Sequence, residues 1–255
     1  MRRLLLLLAS LALTACGAGG SPGATTSPDQ VSGVIEVFAA ASLTAAFTEE
    51  GAAFHAEHPH ATVRFNFAGS AALATQIDQA APADVFASAD AANLQKVVTA
   101  GNSLSSPQTF ATNRLQIVVA PGNPKHITGL ADLAQSGLTV VLCAPAVPCG
   151  TYANQALSKA GVKVTPKSEE QDVKAVVTKI ELGEADAGIV YVTDVKAAGS
   201  KVAGVDIPDS QNVIASYPVA TVKGGSNPAG GRAFIDFLLS SDGRRILAKY
   251  GFGKP

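Results

Sequence analysis

The stretch VFAAASLTAAF (residues 37–47) decides the fold, because two structural patterns meet in it at one serine. The run VIEVFAA (34–40) is typical of a buried strand, whereas residues 43–57 repeat apolar side chains at helical spacing. Ser42 lies at the junction. A serine in this place is commonly a helix N-cap, and its hydroxyl can equally be a donor to a ligand. The flanking chain has to distinguish these two roles.

Strand-type and helix-type segments alternate along the rest of the chain. This alternation predicts an α/β fold with largely parallel sheets. Roughly 220 folded residues are enough for two smaller sheets in two lobes. LQIVVAP (115–121) and YPVATV (217–222) are the candidates for segments that cross between the lobes. The predicted strands are 34–40, 61–68, 84–89, 115–121, 138–145, 187–192 and 212–222, and the predicted helices are 43–57, 70–77, 92–101, 130–137, 152–161, 172–185 and 230–252.

The amino terminus has the pattern of an export signal. A basic start, MRR, precedes an apolar run that is too short to span a bilayer. The following LTAC, which ends at Cys16, resembles a bacterial lipobox. That resemblance implies removal of a signal peptide (1–15) and a lipid on Cys16, which would anchor the protein to the outer face of the cell membrane. An ordinary secretory signal with a chance cysteine is the alternative. Residues 16–32, rich in Gly, Ser, Thr and Pro, are predicted to be a flexible linker.

Composition and charge narrow the classes of partner. Hydrophobic residues make up 47% of the chain and charged residues 15%, which predicts a folded domain with a substantial core of Ala, Val, Leu and Ile. Without Arg2 and Arg3 of the signal peptide, the formal charge of −1 becomes −3. No run of lysine and arginine is present, so we expect no nucleic-acid partner.

Two other function classes have weak support. A serine hydrolase would need a G-x-S-x-G turn between a strand and a helix, and none occurs in residues 33–255. We therefore expect no enzyme. A metal carrier could use HAEHPH (55–60), since His55 and His58 share a helical face, but proline separates His60 from them and no distant cluster completes a site. An exposed helix end is the simpler interpretation.

A recurring junction favours a receptor for a small anion. Small or polar residues stand where a strand or loop enters a helix at Ser42, Ser70, Cys149–Gly150 and Asp172–Val173. In open α/β sheets these junctions face one crevice, where ligands bind. Free N–H groups and the positive ends of the helix dipoles favour an anion there. We expect the Asp172 side chain to cap its helix and turn away from an anion.

The order of these junctions resembles a known family. The matching segments are VFAAASLTAAF (37–47), FNFAGSAALATQI (65–77), APADVFASAD (81–90), VPCGTYANQAL (147–157), DVKAVV (172–177), GEADAGIVYVTD (183–194), YPVA (217–220) and GRRILAKYGF (243–252). In these segments the chain is similar to the molybdate-binding receptors of bacterial ABC importers. The resemblance implies the two-lobed type 2 periplasmic-binding-protein fold, with the ligand in the cleft between the lobes. We expect lobe 1 to comprise 33–114 and 219–255, and lobe 2 to comprise 115–218.

The resemblance also implies a ligand set and partners. Molybdate, and tungstate of nearly the same size, would be held by the hydroxyls of Ser42, Ser70 and Tyr191 and by backbone N–H groups at Cys149 and Val173. No cation ligand and no cofactor are implied, and the partner is an ABC transporter permease. We expect a monomer. Receptors for another tetrahedral oxyanion such as sulfate remain an alternative, as does, less favoured, a metal-carrier lipoprotein.

Two cysteines are predicted to form a disulfide. With Cys16 assigned to the lipid, Cys143 and Cys149 are an even pair in an oxidising compartment. The intervening APAVP contains two prolines and is compatible with a small closed loop. Two free thiols are the alternative. A bridge would stiffen the loop that offers the Cys149 amide.

Overall fold

Strands and helices alternate as the sequence predicts. The computed structural model describes residues 31–255, so the predicted signal peptide, Cys16 and the linker up to residue 30 lie outside the described residues. The strands are β1 Gly33–Ala40, β2 Ala61–Ala68, β3 Val85–Ala87, β4 Gln108–Val119, β5 Val140–Cys143, β6 Ser168–Glu170, β7 Ala187–Tyr191, β8 Ala203–Asp206 and β9 Ile214–Thr221. The helices are α1 Thr44–Glu57, α2 Ser70–Asp78, α3 Ala91–Thr99, α4 Pro148–Ala160, α5 Val173–Glu181, α6 Val192–Ala198, α7 Pro228–Leu239 and α8 Ser241–Lys249.

One sheet path runs through both halves of the molecule. Its strand order is β2-β1-β3-β9-β4-β7-β5-β6, and β8 also pairs with β4. Strand β4 makes this continuity possible, because residues 108–114 pair with β9 and residues 115–119 pair with β7 and β8. The two smaller sheets expected from the sequence are present, one in each half, and the long strand β4 belongs to both.

The two halves form the two lobes of an α/β fold, which confirms the predicted fold class. In each lobe the strands beside the cleft pair in parallel, β1 with β2 and β3, and β5 with β6 and β7. The antiparallel pair β4 and β9 connects the lobes. Both predicted boundaries, near residues 115 and 219, fall within these two strands, and the bounds of the lobes stay a prediction.

The core of lobe 1 differs from the aliphatic core that composition predicts. The ring of Phe47 on α1 lies 5.8 Å from that of Phe110 and 5.9 Å from that of Phe234, measured between ring centroids. Phe54, two turns further along the same face of α1, lies 5.5 Å from Phe234. Aromatic contacts of this kind add to the stabilisation from buried area. They hold α1, and with it the Ser42 junction, against the sheet.

Several bounds depart from the prediction. The segment 230–252 forms two helices, because Ser240 adopts an extended conformation and its hydroxyl caps α8 by accepting from Gly243 N–H. Residues 130–137 contain a short 3₁₀ turn, Leu130–Ala134. Strand β4 starts seven residues before the predicted 115–121 segment. Strands β6 and β8 and helix α6 were not predicted. Within residues 31–255, no helix has the length and apolar character needed to cross a bilayer.

Candidate anion-binding site

A small cavity lies between the lobes. It has room for about one water-sized species. All five residues predicted to bind the ligand line it. The lining residues are Ala40, Ala41, Ser42, Gly69, Ser70 and Ala89 from lobe 1, and Val147, Pro148, Cys149, Asp172, Val173 and Tyr191 from lobe 2.

Ser42 is not a helix cap. It is the middle residue of a 3₁₀ turn, Ala41–Leu43, between β1 and α1, and neither this turn nor α1 has a side-chain cap. Its hydroxyl lies 2.9 Å from the Tyr217 hydroxyl instead. The small residues before it, Ala39 to Ala41, are buried and leave the backbone close to the cavity. The position of Ser42 therefore fits the role of a ligand donor.

Ser70 is the first residue of α2, and the N-cap is Gly69, so capping is not its role either. Its Oγ accepts a hydrogen bond of 3.0 Å from the Ala89 N–H. With one lone pair occupied by this donor, the hydroxyl proton of Ser70 is free to point into the cavity. The N–H of Ser70 belongs to the first turn of α2, where the helix offers no acceptor.

Tyr191 ends β7 and supplies the cavity wall of lobe 2. The side chain is 1% exposed, and its hydroxyl has no hydrogen-bond partner among residues 31–255. Burial raises the pKa of Tyr191 well above its usual value, so the phenol keeps its proton. An unpartnered buried hydroxyl is costly, and this one is available as a donor to a group in the cavity.

Two backbone segments face the same space from lobe 2. Cys149 lies in the first turn of α4 and Val173 is the first residue of α5, so their N–H groups have no acceptor within their helices. Cys143, at the end of β5, is joined by a disulfide to Cys149, with the Cα atoms 5.8 Å apart. Gly150 is required beside them, because a Cβ would overlap the carbonyl oxygens of Cys143 and Ala144. The Cys149 amide is thus held by covalent and packing contacts.

Asp172 caps α5 as predicted. Its Oδ1 accepts a hydrogen bond of 3.0 Å from the Ala175 N–H. The residue nevertheless still lines the cavity, so its charge is close to any bound anion. The capping contact ties the carboxylate to the helix start, where the dipole favours a negative charge.

The cavity presents donors without a fixed positive charge. Its lining residues include one acid, Asp172, and no lysine, arginine or histidine. Behind Tyr191, the buried Asp194 accepts from the Tyr191 N–H at 3.1 Å and lies 3.5 Å from Lys174 Nζ. Burial raises the pKa of Asp194 to about 6. An anion here would be held by hydroxyls, backbone N–H groups and helix N-termini.

Sequence reasoning missed several residues of the site. Tyr217 and Asn113, which support Ser42, lie on β9 and β4, and Gly69 and Ala89 line the cavity. The available signal was a buried-type strand around each residue, LQIVVAP (115–121) shortly after Asn113 and YPVATV starting at Tyr217. Pattern analysis does not reveal which distant group such a side chain meets.

The histidines of the alternative metal site have other contacts. His55 Nδ1 lies 2.7 Å from the Ala61 carbonyl oxygen, and the His58 ring packs on Phe54 with centroids 4.6 Å apart. Across residues 31–255, no three His, Cys, Asp or Glu side chains are grouped closely enough to hold a metal ion.

Known proteins with the same fold bind oxyanions. The molybdate-binding protein ModA of Mycobacterium tuberculosis is 45% identical over 243 residues, which cover 95% of this chain and 93% of that protein. The periplasmic molybdate-binding protein of Azotobacter vinelandii superposes with a TM-score of 0.74 at 21% identity, covering 87% of this chain and 99% of that one. The sulfate-binding protein SubI of M. tuberculosis gives a TM-score of 0.78 at 20% identity and 86% coverage of both chains. At these identities the two structures support the fold alone.

The family assignment rests on sequence over nearly the whole described chain. The profile of the bacterial extracellular solute-binding proteins matches residues 35–253, a range that includes every residue lining the cavity. The protein belongs to the bacterial extracellular solute-binding protein family.

Proposed function

We propose that this protein captures molybdate, and tungstate, outside the cytoplasmic membrane and delivers the ion to an ABC importer without changing it chemically. The observation that carries the proposal is the buried, unpartnered hydroxyl of Tyr191 in a cavity that it shares with Ser42 and Ser70. The mycobacterial relative named as a molybdate-binding protein, 45% identical over 95% of this chain, supports the choice of ion.

The donor set favours a tetrahedral oxyanion over other solutes. Hydroxyls and backbone N–H groups approach from both lobes, and each charge-assisted hydrogen bond contributes about 1.5–3 kcal/mol. Neutral donors at set positions select by the size and shape of the ion, whereas a bare cation would attract any anion. Sulfate, with shorter bonds to oxygen, would leave some donors out of reach. Tungstate is nearly as large as molybdate and fits the same positions.

Attachment to the membrane is part of the proposal. The LTAC segment that ends at Cys16 supports lipidation of that cysteine, and the family is extracellular. A receptor tethered in this way stays near the permease that takes its ligand. Mass spectrometry of the native amino terminus would detect a diacylglycerol on Cys16. An unmodified terminus at another cleavage site would contradict the anchor.

Oxyanion titration tests the function directly. In calorimetry we expect tight binding of molybdate and tungstate by the wild-type protein, and weak binding of sulfate and phosphate. Ser42→Ala and Ser70→Ala should each weaken molybdate binding roughly ten- to hundredfold, the worth of one charge-assisted hydrogen bond. Ser136→Ala, at an exposed serine that does not line the cavity, is the matched control. Equal affinity for sulfate and molybdate would overturn the molybdate assignment.

A further inference from the structure

A chain of buried polar side chains leads from the strands that connect the lobes to Ser42. Asn113 on β4 places its Nδ2 2.8 Å from Thr193 Oγ1 and 3.4 Å from the Tyr217 hydroxyl. The Tyr217 hydroxyl in turn lies 2.9 Å from Ser42 Oγ. Asn113, Thr193 and Tyr217 are all at most 3% exposed, so water does not compete for these contacts.

The orientation of the Asn113 amide sets the direction of the hydrogen bonds from Asn113 through Tyr217 to Ser42. Asn113 Oδ1 accepts from the Arg114 N–H at 2.9 Å, which fixes the orientation of the amide and leaves Nδ2 as the donor toward Tyr217. The Tyr217 oxygen therefore accepts from Asn113. Its own proton is left for Ser42 Oγ. Because Ser42 accepts this proton, its hydroxyl hydrogen points away from Tyr217 and into the cavity.

We propose that Tyr217 and Asn113 are positioning residues that hold the Ser42 hydroxyl as a donor, so that the site rejects oxyanions that carry a proton. The inference rests on the proposed function, since it concerns the same cavity. It goes beyond that function in naming residues that do not touch the ligand and the ligand property that they select.

The hydroxyls of Ser70 and Tyr191 are also placed to donate, rather than accept, hydrogen bonds in the cavity. Ser70 Oγ already accepts from the Ala89 N–H, and the Tyr191 phenol keeps its proton. Asp172, the one carboxylate at the wall, is tied by the Ala175 N–H to the start of α5. An O–H group of the ligand placed at any of these three hydroxyls would therefore face a donor, and one hydrogen bond would be replaced by a repulsive contact. A fully deprotonated oxyanion satisfies every donor.

Tyr217→Phe tests the inference with little change in packing. The ring is held by Phe252, Tyr191 and Phe110, at centroid distances of 5.4, 6.0 and 6.3 Å, so the variant keeps the ring and loses the hydroxyl. Ser42 is then free to rotate its hydroxyl and to accept from a ligand. We expect molybdate affinity to fall about three- to tenfold, the effect of losing one neutral hydrogen bond.

The diagnostic measurement compares two similar dianions that differ by a proton. In mildly alkaline buffer, the dissociation constants of sulfate and hydrogen phosphate are determined by competition with molybdate. We expect the wild-type protein to favour sulfate, and Tyr217→Phe to reduce that preference about tenfold. A purely structural effect would weaken both ions equally. An unchanged ratio of the two constants would overturn the inference.

A double-mutant cycle asks whether Tyr217 acts through Ser42. In the Ser42→Ala background, Tyr217→Phe should leave molybdate affinity unchanged. If the two substitutions instead lower molybdate affinity additively, Tyr217 does not act through Ser42. Tyr250→Phe, which removes a hydroxyl bonded to Glu49 at the surface, is the matched control. If Tyr217→Phe folds poorly, Asn113→Ser replaces it in the same measurements, because it removes the Nδ2 group that donates to the Tyr217 hydroxyl. A wild-type protein that binds no molybdate defeats the proposed function, whereas normal binding with an unchanged ratio defeats this inference alone.

Discussion

The carbonyl oxygen of Gln171 in lobe 2 occupies the space that a Cβ would take at Gly69 in lobe 1. Gly69 has ordinary backbone angles, φ −60° and ψ 136°, so close approach and not conformational freedom requires the glycine. Gly69 stands directly before Ser70, and Gln171 directly before Asp172. The lobes are therefore in contact beside the cavity, as in a closed receptor.

Gly69→Ala should impair lobe closure without removing a ligand donor. The added methyl overlaps backbone, which cannot move aside as a flexible side chain could, so the lobes have to separate. We expect molybdate affinity to fall roughly tenfold or more, with the free energy of unfolding nearly unchanged. Titration gives the affinity, and X-ray scattering with ligand should report a larger radius of gyration than for the wild type. Gly129→Ala, where a Cβ meets no atom within 4 Å, is the control; equal affinities for the two variants would contradict the contact.

Asp172→Asn should strengthen anion binding. Asparagine caps a helix as well as aspartate does, so α5 keeps its start, while the negative charge beside the cavity is removed. We expect a several-fold gain in molybdate affinity at low salt and a smaller gain as salt screens the charge. Calorimetry at several ionic strengths measures this, with the surface variant Asp242→Asn as the control. Unchanged affinity would mean that the carboxylate does not act on the ligand.

Loss of the Cys143–Cys149 bridge should lower both stability and affinity. The bridge closes a loop with a sequence separation of 6, for which chain entropy predicts about 2 kcal/mol of stabilisation. It also holds the first turn of α4, so a looser turn presents the Cys149 amide less well. Denaturant unfolding and titration of the double variant Cys143→Ser/Cys149→Ser measure the two effects. The control is the wild-type protein under reducing conditions, which should match the double variant. Two reactive thiols at positions 143 and 149 in the untreated, denatured protein would refute the bridge.

Glu50 should make stability fall as pH rises. The side chain is fully buried on α1, and neither carboxyl oxygen has a hydrogen-bond partner within the described residues. Burial raises its pKa from 4.5 to about 9, so the folded protein keeps this carboxyl protonated while the unfolded chain ionises it. The contribution of Glu50 is complete below about pH 4.5 and is lost progressively up to about pH 9, by at most about 1.4 kcal/mol per pH unit.

Glu50→Gln removes the ionisable proton and keeps the shape of the side chain. We expect its free energy of unfolding to vary less between mildly acidic and alkaline pH than that of the wild type. Thermal and denaturant unfolding across this range are the measurements. Glu57→Gln, at an exposed position of the same helix, should follow the wild-type profile. Parallel profiles for Glu50→Gln and the wild type would contradict the assignment.

Elements with a strong local pattern were predicted closely. Strand β2 spans the predicted residues 61–68, and α2 extends the predicted 70–77 by one residue. The strands that escaped prediction are short: β6 has three residues and β8 has four, and neither has a buried residue. Strands of this kind form because a neighbouring strand offers its edge, and a local pattern does not contain that information.

The sequence by itself determined the alternating order of strands and helices and the junctions at which hydrogen-bond donors stand at the start of a helix. Periodicity marks strands and helices, and small or polar residues at the junctions identify Ser42, Ser70, Cys149, Val173 and Asp172. Only the tertiary structure decided which of these groups share a cavity, and with what geometry. The contact between Ser42 and Tyr217 joins residues 175 positions apart, and that between Gly69 and Gln171 joins the two lobes. Both depend on how β4 pairs with β9 and brings the lobes together, which is a property of long-range packing and not of any local segment.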